Sequence, residues 1–458
     1  MTRSVFYALN RFGLGARAGE AATITDPKKY LLDQIASFDS TPTAYALQHT
    51  PADINAYRAE TFRRSPWTGQ KSVEVPEWDA NNWHAVSSSY FGQGVRKRFE
   101  QAIRTNTPFV ERLMHFWSNH FACEEPGHMV GHEFHHIRPF MTGKFADLVI
   151  SASCRSPAML AYLTQWNSYG PRSPMANGRN GLNENLGREI LELHTIGVNG
   201  GYTQQDVEEM SRALTGLTCN GWVASLQPIA GVRLGTPIFD SRMHEPGDRT
   251  VLGKTYTTTG FERIVQIIND LCASDACAYF VSTKLVTHFF GDNPPQWAVD
   301  RVARTWQTTG GLLTAVYTTL VETFFDNIDN TDIQTSKKFR NRWEWCVAAG
   351  RYFLSVGIAN IDAVAHGTNG FALERASVWR PGSPAGYPDI TTSITTNEMF
   401  WRVNKFQYLF KQFPGIVGST MPLDVAPFSQ TSIDTIRGMG NTNTAIPYFL
   451  TTPEMTWR

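Results

Sequence analysis

Net charge is absent: 41 Lys and Arg are matched by 41 Asp and Glu in 458 residues. A chain without a net field does not gather polyanions, so no nucleic-acid partner is expected. Cysteine is scarce, six residues with no CxxC pair, which excludes a disulfide scaffold and leaves the redox compartment open. Cys272 and Cys277, five apart, read as small buried apolar residues. Long apolar runs are also missing. Uncharged stretches such as 148–154 and 278–283 fall far short of the roughly 18 residues that cross a bilayer, so no transmembrane segment is expected. No apolar run precedes Asn10 and Arg11, so no secretory signal is expected there. Neither an internal repeat nor a low-complexity tract is present.

What is present is a large apolar complement, 42% of residues, with 12% aromatics, enough for a sizeable core. The pattern is mainly α: a single large α-helical body with long loops and at most a few short strands. Thr107-Pro108 supplies a cap and a first-turn proline for a helix over 108–121, with Phe109, Leu113, Phe116, Trp117 and His120 on one arc. Others are expected at 183–197, 203–216, 26–37, 93–105, 259–272, 276–290, 295–309, 311–326, 336–355 and 396–412. Thr203 and Asp206 form a capping-box variant. Segments 38–95, 165–182, 218–258, 360–395 and 413–445 read as loops, with short strands around 222–226 and 251–257. Residues 1–458 are read as one domain, with a boundary near 258 as the alternative.

Histidine is concentrated. His115, His120, His128, His132, His135 and His136 place six of the 12 histidines within 22 residues, where even spreading predicts about 0.6. His120 lies in the middle of its helix's apolar arc, so its imidazole needs a hydrogen-bond partner or a ligand. His132-Glu133-Phe134-His135-His136 satisfies HExxH, and His120, His132 and His136 are the candidate ligands of a divalent transition metal. A run of incidental histidines on a polar loop edge is the alternative.

The segment NENLGREILELHTIGVNGGYTQQDVEEMSRALTGL (183–217) closely resembles the signature of the bacterial "domain of unknown function 1800" family. ALNRFGLGARAGE (8–20), ERLMHFWSNHF (111–121), IRPFMTGKFADLVISASCRSPAMLAYL (137–163), STKLVTHFFGDNPP (282–295) and TTPEMTWR (451–458) are similar to further family segments. Where the family commonly has YLDN, this chain has Tyr162-Leu163-Thr164-Gln165. The resemblance implies a mainly helical protein, often exported, and often encoded beside a protein that looks like a sulfatase or phosphatase, which would then be a partner.

On a helical wheel, Leu186, Ile190, Leu193 and Gly197 share one packed face of the 183–197 helix, and Glu189 and His194 flank it about 140° apart. A single straight helix cannot aim both at one ion. Glu184, Arg188 and Glu192 form an i,i+4 ladder. The loop 239–256 adds His244 and Lys254. The leading expectation is a metal-assisted enzyme acting on a polar or carbohydrate-like substrate. His120 and His194 would be ligands or acid–base groups, Glu189 a base or ligand, His244 a further site residue, and Arg138 and Lys254 substrate clamps. The alternatives are a non-catalytic binding or co-export partner of a sulfatase- or phosphatase-like protein, and a haem protein with a histidine ligand.

Overall fold

The computed structural model describes residues 1–41, 50–63, 83–125, 127–178, 181–358, 378–391, 401–402 and 420–458. Helices dominate, and the strands described form two two-stranded antiparallel sheets. The strongest caps set the clearest boundaries. Pro108 opens helix Pro108–His120 at its first turn, and Thr203 and Asp206 close a reciprocal capping box at the start of Gln204–Leu214. Asn341 and Glu344 do the same for Arg342–Ser355, so this helix begins later than the apolar pattern from 336 suggests.

Helices Asp275–Phe290, Gln296–Thr309 and Leu313–Phe325 pack in sequence order. Gly310, with φ of 63°, ends the second of them in a left-handed cap that a side chain would strain. One buried apolar cluster takes in residues from Val5 to Met455, on both sides of position 258.

Two loop expectations are corrected. Within 38–95 the chain forms helices Pro51–Arg63 and Trp83–Arg104. Ser, Gly and Gln disguise the second, but Gly94 serves packing, since a Cβ there would run into Val130. Within 413–445 helices Gln430–Gly438 and Thr442–Thr451 appear. The strand expected at 222–226 is turn; instead Leu217–Cys219 pairs with Pro237–Phe239. The 251–257 expectation becomes a hairpin, Arg249–Val251 with Lys254–Tyr256. The helix expected at 396–412 lies mostly outside the described residues.

Residues 10–15 are stitched into the interior by buried arginines. Arg11 donates to the carbonyls of Arg458 and Phe290, both at 2.6 Å. Arg112 donates to the Gly13 carbonyl at 2.5 Å and Arg351 to that of Gly15 at 2.7 Å. Arg340 donates to Asn10 Oδ1 at 2.5 Å. These bonds satisfy carbonyls that burial would otherwise leave unpaired.

At the departure from YLDN, Thr164 adopts φ of 57° and ψ of 24°, a left-handed conformation that a β-branched residue tolerates poorly and Asp or Asn tolerates well. Gln165, fully buried, donates to the Leu214 carbonyl at 2.9 Å. Thr164→Asn is therefore expected to stabilise the fold by about 0.5–1 kcal/mol. A raised urea midpoint with an unchanged slope is the readout, and a lowered midpoint refutes the strain argument.

Candidate functional site

Two of the family-like segments face each other across a cavity of about 490 Å³. Helix Pro108–His120 contributes His115, Asn119 and His120, and helix Asp275–Phe290 contributes Lys284, Thr287 and His288. Lys284 and His288 are one turn apart, so they share a helix face. The helices meet through aromatic contacts: Phe116 against His288 with ring centroids 5.3 Å apart, and His120 against Phe280 at 6.5 Å. Trp343, Trp379 and Tyr387 complete an aromatic wall. The segment bearing Tyr387 is clasped to Asn119, which donates to the Tyr387 carbonyl at 3.0 Å and accepts from the Tyr387 amide at 2.7 Å.

Three histidines line this cavity, and each has one ring nitrogen bonded and one without a partner. The bonded nitrogen sets the tautomer. His115 Nδ1 accepts from Trp343 Nε1 at 3.3 Å, which puts its proton on Nε2. His120 Nε2 donates to the His194 carbonyl at 3.1 Å, which leaves Nδ1 with a lone pair. His288 Nδ1 donates to Asp389 Oδ2 at 2.6 Å, which leaves Nε2 with a lone pair. Burial lowers all three rings, His288 to about 4 despite the pull of Asp389, so they are neutral near pH 7.

Asp389 is anchored in turn. Lys338 Nζ lies 3.2 Å from its Oδ1 and 3.1 Å from Asp292, and Arg458 lies at 3.7 Å. Burial would raise the Asp389 carboxyl, but His288, Lys338 and Arg458 outweigh it and hold it well below the usual carboxylate range. Behind this pair, Glu344 receives Arg112 at 2.5 Å and Arg458 at 3.1 Å. Burial opposes ionisation there too, yet the two arginines bring Glu344 down to about 2.

The other expected residues are dispersed. His194, fully buried, contacts Ser153 Oγ at 3.0 Å through Nδ1 and meets His120 through its own carbonyl. Glu189 is half-buried away from the cavity, and burial together with Glu192 raises its carboxyl to about 7. Arg138 is held bidentately by Glu111 at 3.1 and 2.9 Å, a core ion pair, and is no cavity clamp. His244 is bonded to the Thr215 carbonyl at 2.8 Å and stacks edge-on against Phe239. Lys254, exposed on its hairpin, pairs with Asp270 at 2.5 Å. The Glu184, Arg188 and Glu192 ladder is formed, at 3.4 and 3.3 Å.

The candidate metal ligands His120, His132 and His136 do not converge. His132 has both nitrogens bonded, to Ser156 Oγ at 2.7 Å and the Phe121 carbonyl at 2.8 Å. His136 faces Ser151 and a separate, smaller cavity. The reason is the π-helical stretch His132–Ile137, whose wider turn destroys the i,i+4 stacking of an α-helix. Glu133 of the HExxH run is an ion-pair centre, receiving Arg98 at 2.8 Å, Ser118 at 2.6 Å and Trp379 at 2.7 Å. Among the described residues no group of three or more His, Cys, Asp or Glu is placed to hold a metal ion. All six cysteines are buried and none is in a disulfide.

Sequence reasoning missed Lys284, His288 and Asp389 and set His115 aside. The available signal was a lysine and a histidine one turn apart in an otherwise apolar helix. No curated protein and no solved structure matches the chain. The model of the family described as "Protein of unknown function (DUF1800)" matches residues 7–456, nearly the whole chain, and the protein belongs to that family.

Proposed function

We propose that the cavity is the active site of an enzyme working by general acid–base catalysis on a small substrate with an apolar or ring-bearing body. The observation that carries this reading is the His288–Asp389 pair at 2.6 Å, with His288 Nε2 unpartnered in a cavity wall. A neutral imidazole whose Nδ1–H is held by an ionised carboxylate presents a base at Nε2. Once that nitrogen takes a proton, Asp389 stabilises the imidazolium through the same hydrogen bond. His115 Nε2–H offers a donor to a carbonyl or hydroxyl oxygen, and His120 Nδ1 offers an acceptor. Their aromatic surroundings strengthen these interactions by excluding water.

Steady-state turnover of p-nitrophenyl acetate tests the base directly. His288→Gln is expected to lower it about a hundredfold, the usual scale for a general base. Nitrogen-15 spectra of the histidine rings should place the His288 proton on Nδ1. Equal turnover by wild type and His288→Gln, with both folded by circular dichroism, would overturn the reading.

A further inference from the structure

The cavity also contains an amine that the proton-transfer reading does not use. Lys284 lies on the same helix face as His288, one turn before it, and lines the cavity wall. Its nitrogen sits 5.4 Å from the centroid of Phe280, one turn earlier again. Phe280 and His288 flank it on its own helix, and His120 faces it from helix Pro108–His120. His194 acts on it electrostatically from the π-helical stretch 190–195, and Asp389 from the 378–391 segment. Among the described residues no carboxylate comes within ion-pairing distance of it, and its three histidine neighbours are neutral. A half-buried lysine ammonium that faces an aromatic ring and has no counter-ion is unusual, because the ring only partly offsets its desolvation.

We infer that Lys284 is a nucleophile that binds carbonyl substrates covalently, as an imine, in the aromatic-walled cavity. This deepens the acid–base reading and rests on it for proton movement, but the bond itself belongs to Lys284. The neutral amine attacks the carbonyl carbon, a C–N bond forms, and a nitrogen proton passes to the oxygen to give a carbinolamine. The nitrogen lone pair then forms the C=N bond as the C–O bond breaks, the hydroxyl leaving as water with a proton that the remaining N–H replaces, so no oxidant or reductant is required. His288 Nε2, on the same face, is placed to carry the proton, and His115 Nε2–H to hold the carbonyl oxygen. The class of substrate is an aldehyde or ketone with an apolar or aromatic body, matched to walls formed by Phe116, Trp343, Trp379 and Tyr387.

Burial lowers the Lys284 amine to about 8, against an opposing pull from Asp389. At pH 7.5 about a quarter of such amines are neutral, compared with about one in a thousand for an ordinary lysine. This difference is what catalytic imine-forming lysines depend on.

The test is reductive trapping with benzaldehyde and sodium cyanoborohydride on the intact protein, read by peptide mass spectrometry as the rate at each lysine. Lys284 is expected to be benzylated at least about tenfold faster than the exposed lysines at pH 7.5. Its rate should rise through about pH 8, where that of the others rises only near pH 10. Denaturation in guanidinium should erase the difference, which separates an effect of the cavity from one of local sequence. Labelling of Lys284 at or below the rate of exposed lysines, or a pH midpoint near 10, would overturn the inference. Ester turnover reads His288 and trapping reads Lys284, so failure of one is distinguishable from failure of the other.

Discussion

Between pH 7 and pH 5 the protein should lose about 6 kcal/mol of folding stability, and it should unfold co-operatively near pH 5. His132, His194 and His288 are buried, with folded values lowered to about 4, 3 and 4 by desolvation. In the unfolded chain each returns to about 6.5. Over the interval between these values the unfolded chain binds protons that the folded chain refuses, so stability falls as pH falls. The contribution is intact above pH 6.5, and its loss is complete only once pH has passed the folded values. At pH 5 each ring costs about 2 kcal/mol, and a typical total stability is only about 5–15 kcal/mol. Glu344 acts in the same direction but lower. Its folded value of about 2 against 4.5 preserves stability above pH 4.5 and gives it up toward pH 2. A titration followed by circular dichroism, with potentiometric counting of bound protons, checks this. At least three protons per molecule should be taken up across the transition. An unfolding midpoint below pH 4 without uptake above pH 5 would refute it.

Glu344→Gln should cost about 3–5 kcal/mol, the scale for breaking a buried ion pair by removing one partner. Glu344 is 5% exposed, and its arginines Arg112 and Arg458 are 1% and 0% exposed. The carboxylate does three things at once. It accepts from Arg112 at 2.5 Å, from Arg458 Nε at 3.2 Å, and from the Asn341 amide at 3.0 Å, closing the capping box. Glutamine keeps the shape but leaves Arg112 without its carboxylate partner and Arg458 with only Asp389 at 3.7 Å, in a medium that solvates guanidinium groups poorly. The double variant Arg112→Met, Glu344→Met should recover part of the loss, because it removes a charge of each sign. Urea unfolding measures both. A loss below 1 kcal/mol in Glu344→Gln would show that water reaches this cluster.

Much of the helical framework is readable because its punctuation is local. Thr203 with Asp206 marks a boundary by satisfying amides within three residues, and Pro108 by a fixed φ at the first turn, where Thr107 makes no side-chain cap bond. Non-local reasons defeat the same reading elsewhere. Gly94 looks like a helix breaker until Val130, 36 residues later, is seen to need the space. The π-helical stretches His132–Ile137 and Ile190–Thr195 add a residue per turn that no 3.6-residue wheel anticipates. They displace His132, His136 and His194 from the faces assigned to them. His120 could be found because it interrupts an apolar arc. His288 is harder to single out, because its helix is apolar almost all round and a lone histidine there reads as core; only the lysine one turn before it sets it apart. Asp389, which gives it chemical meaning, comes from a loop 101 residues away. Arg138 and Lys254 carry the right charge for clamps, but Glu111 and Asp270 already neutralise them.

The arginine stitching of residues 10–15 has a consequence in time. On a ribosome, Asn10, Arg11, Gly13 and Gly15 are made early, yet the side chains and carbonyls that hold them come from positions 112, 290, 340, 351 and 458. The first of these contacts closes a loop of 99 residues and the last one of 447. Loop closure must be completed before such contacts return any energy, so maturation of this region is expected to be slow and to follow synthesis. Until then the apolar side chains around residues 5–14 stand open to collapse onto the wrong surface.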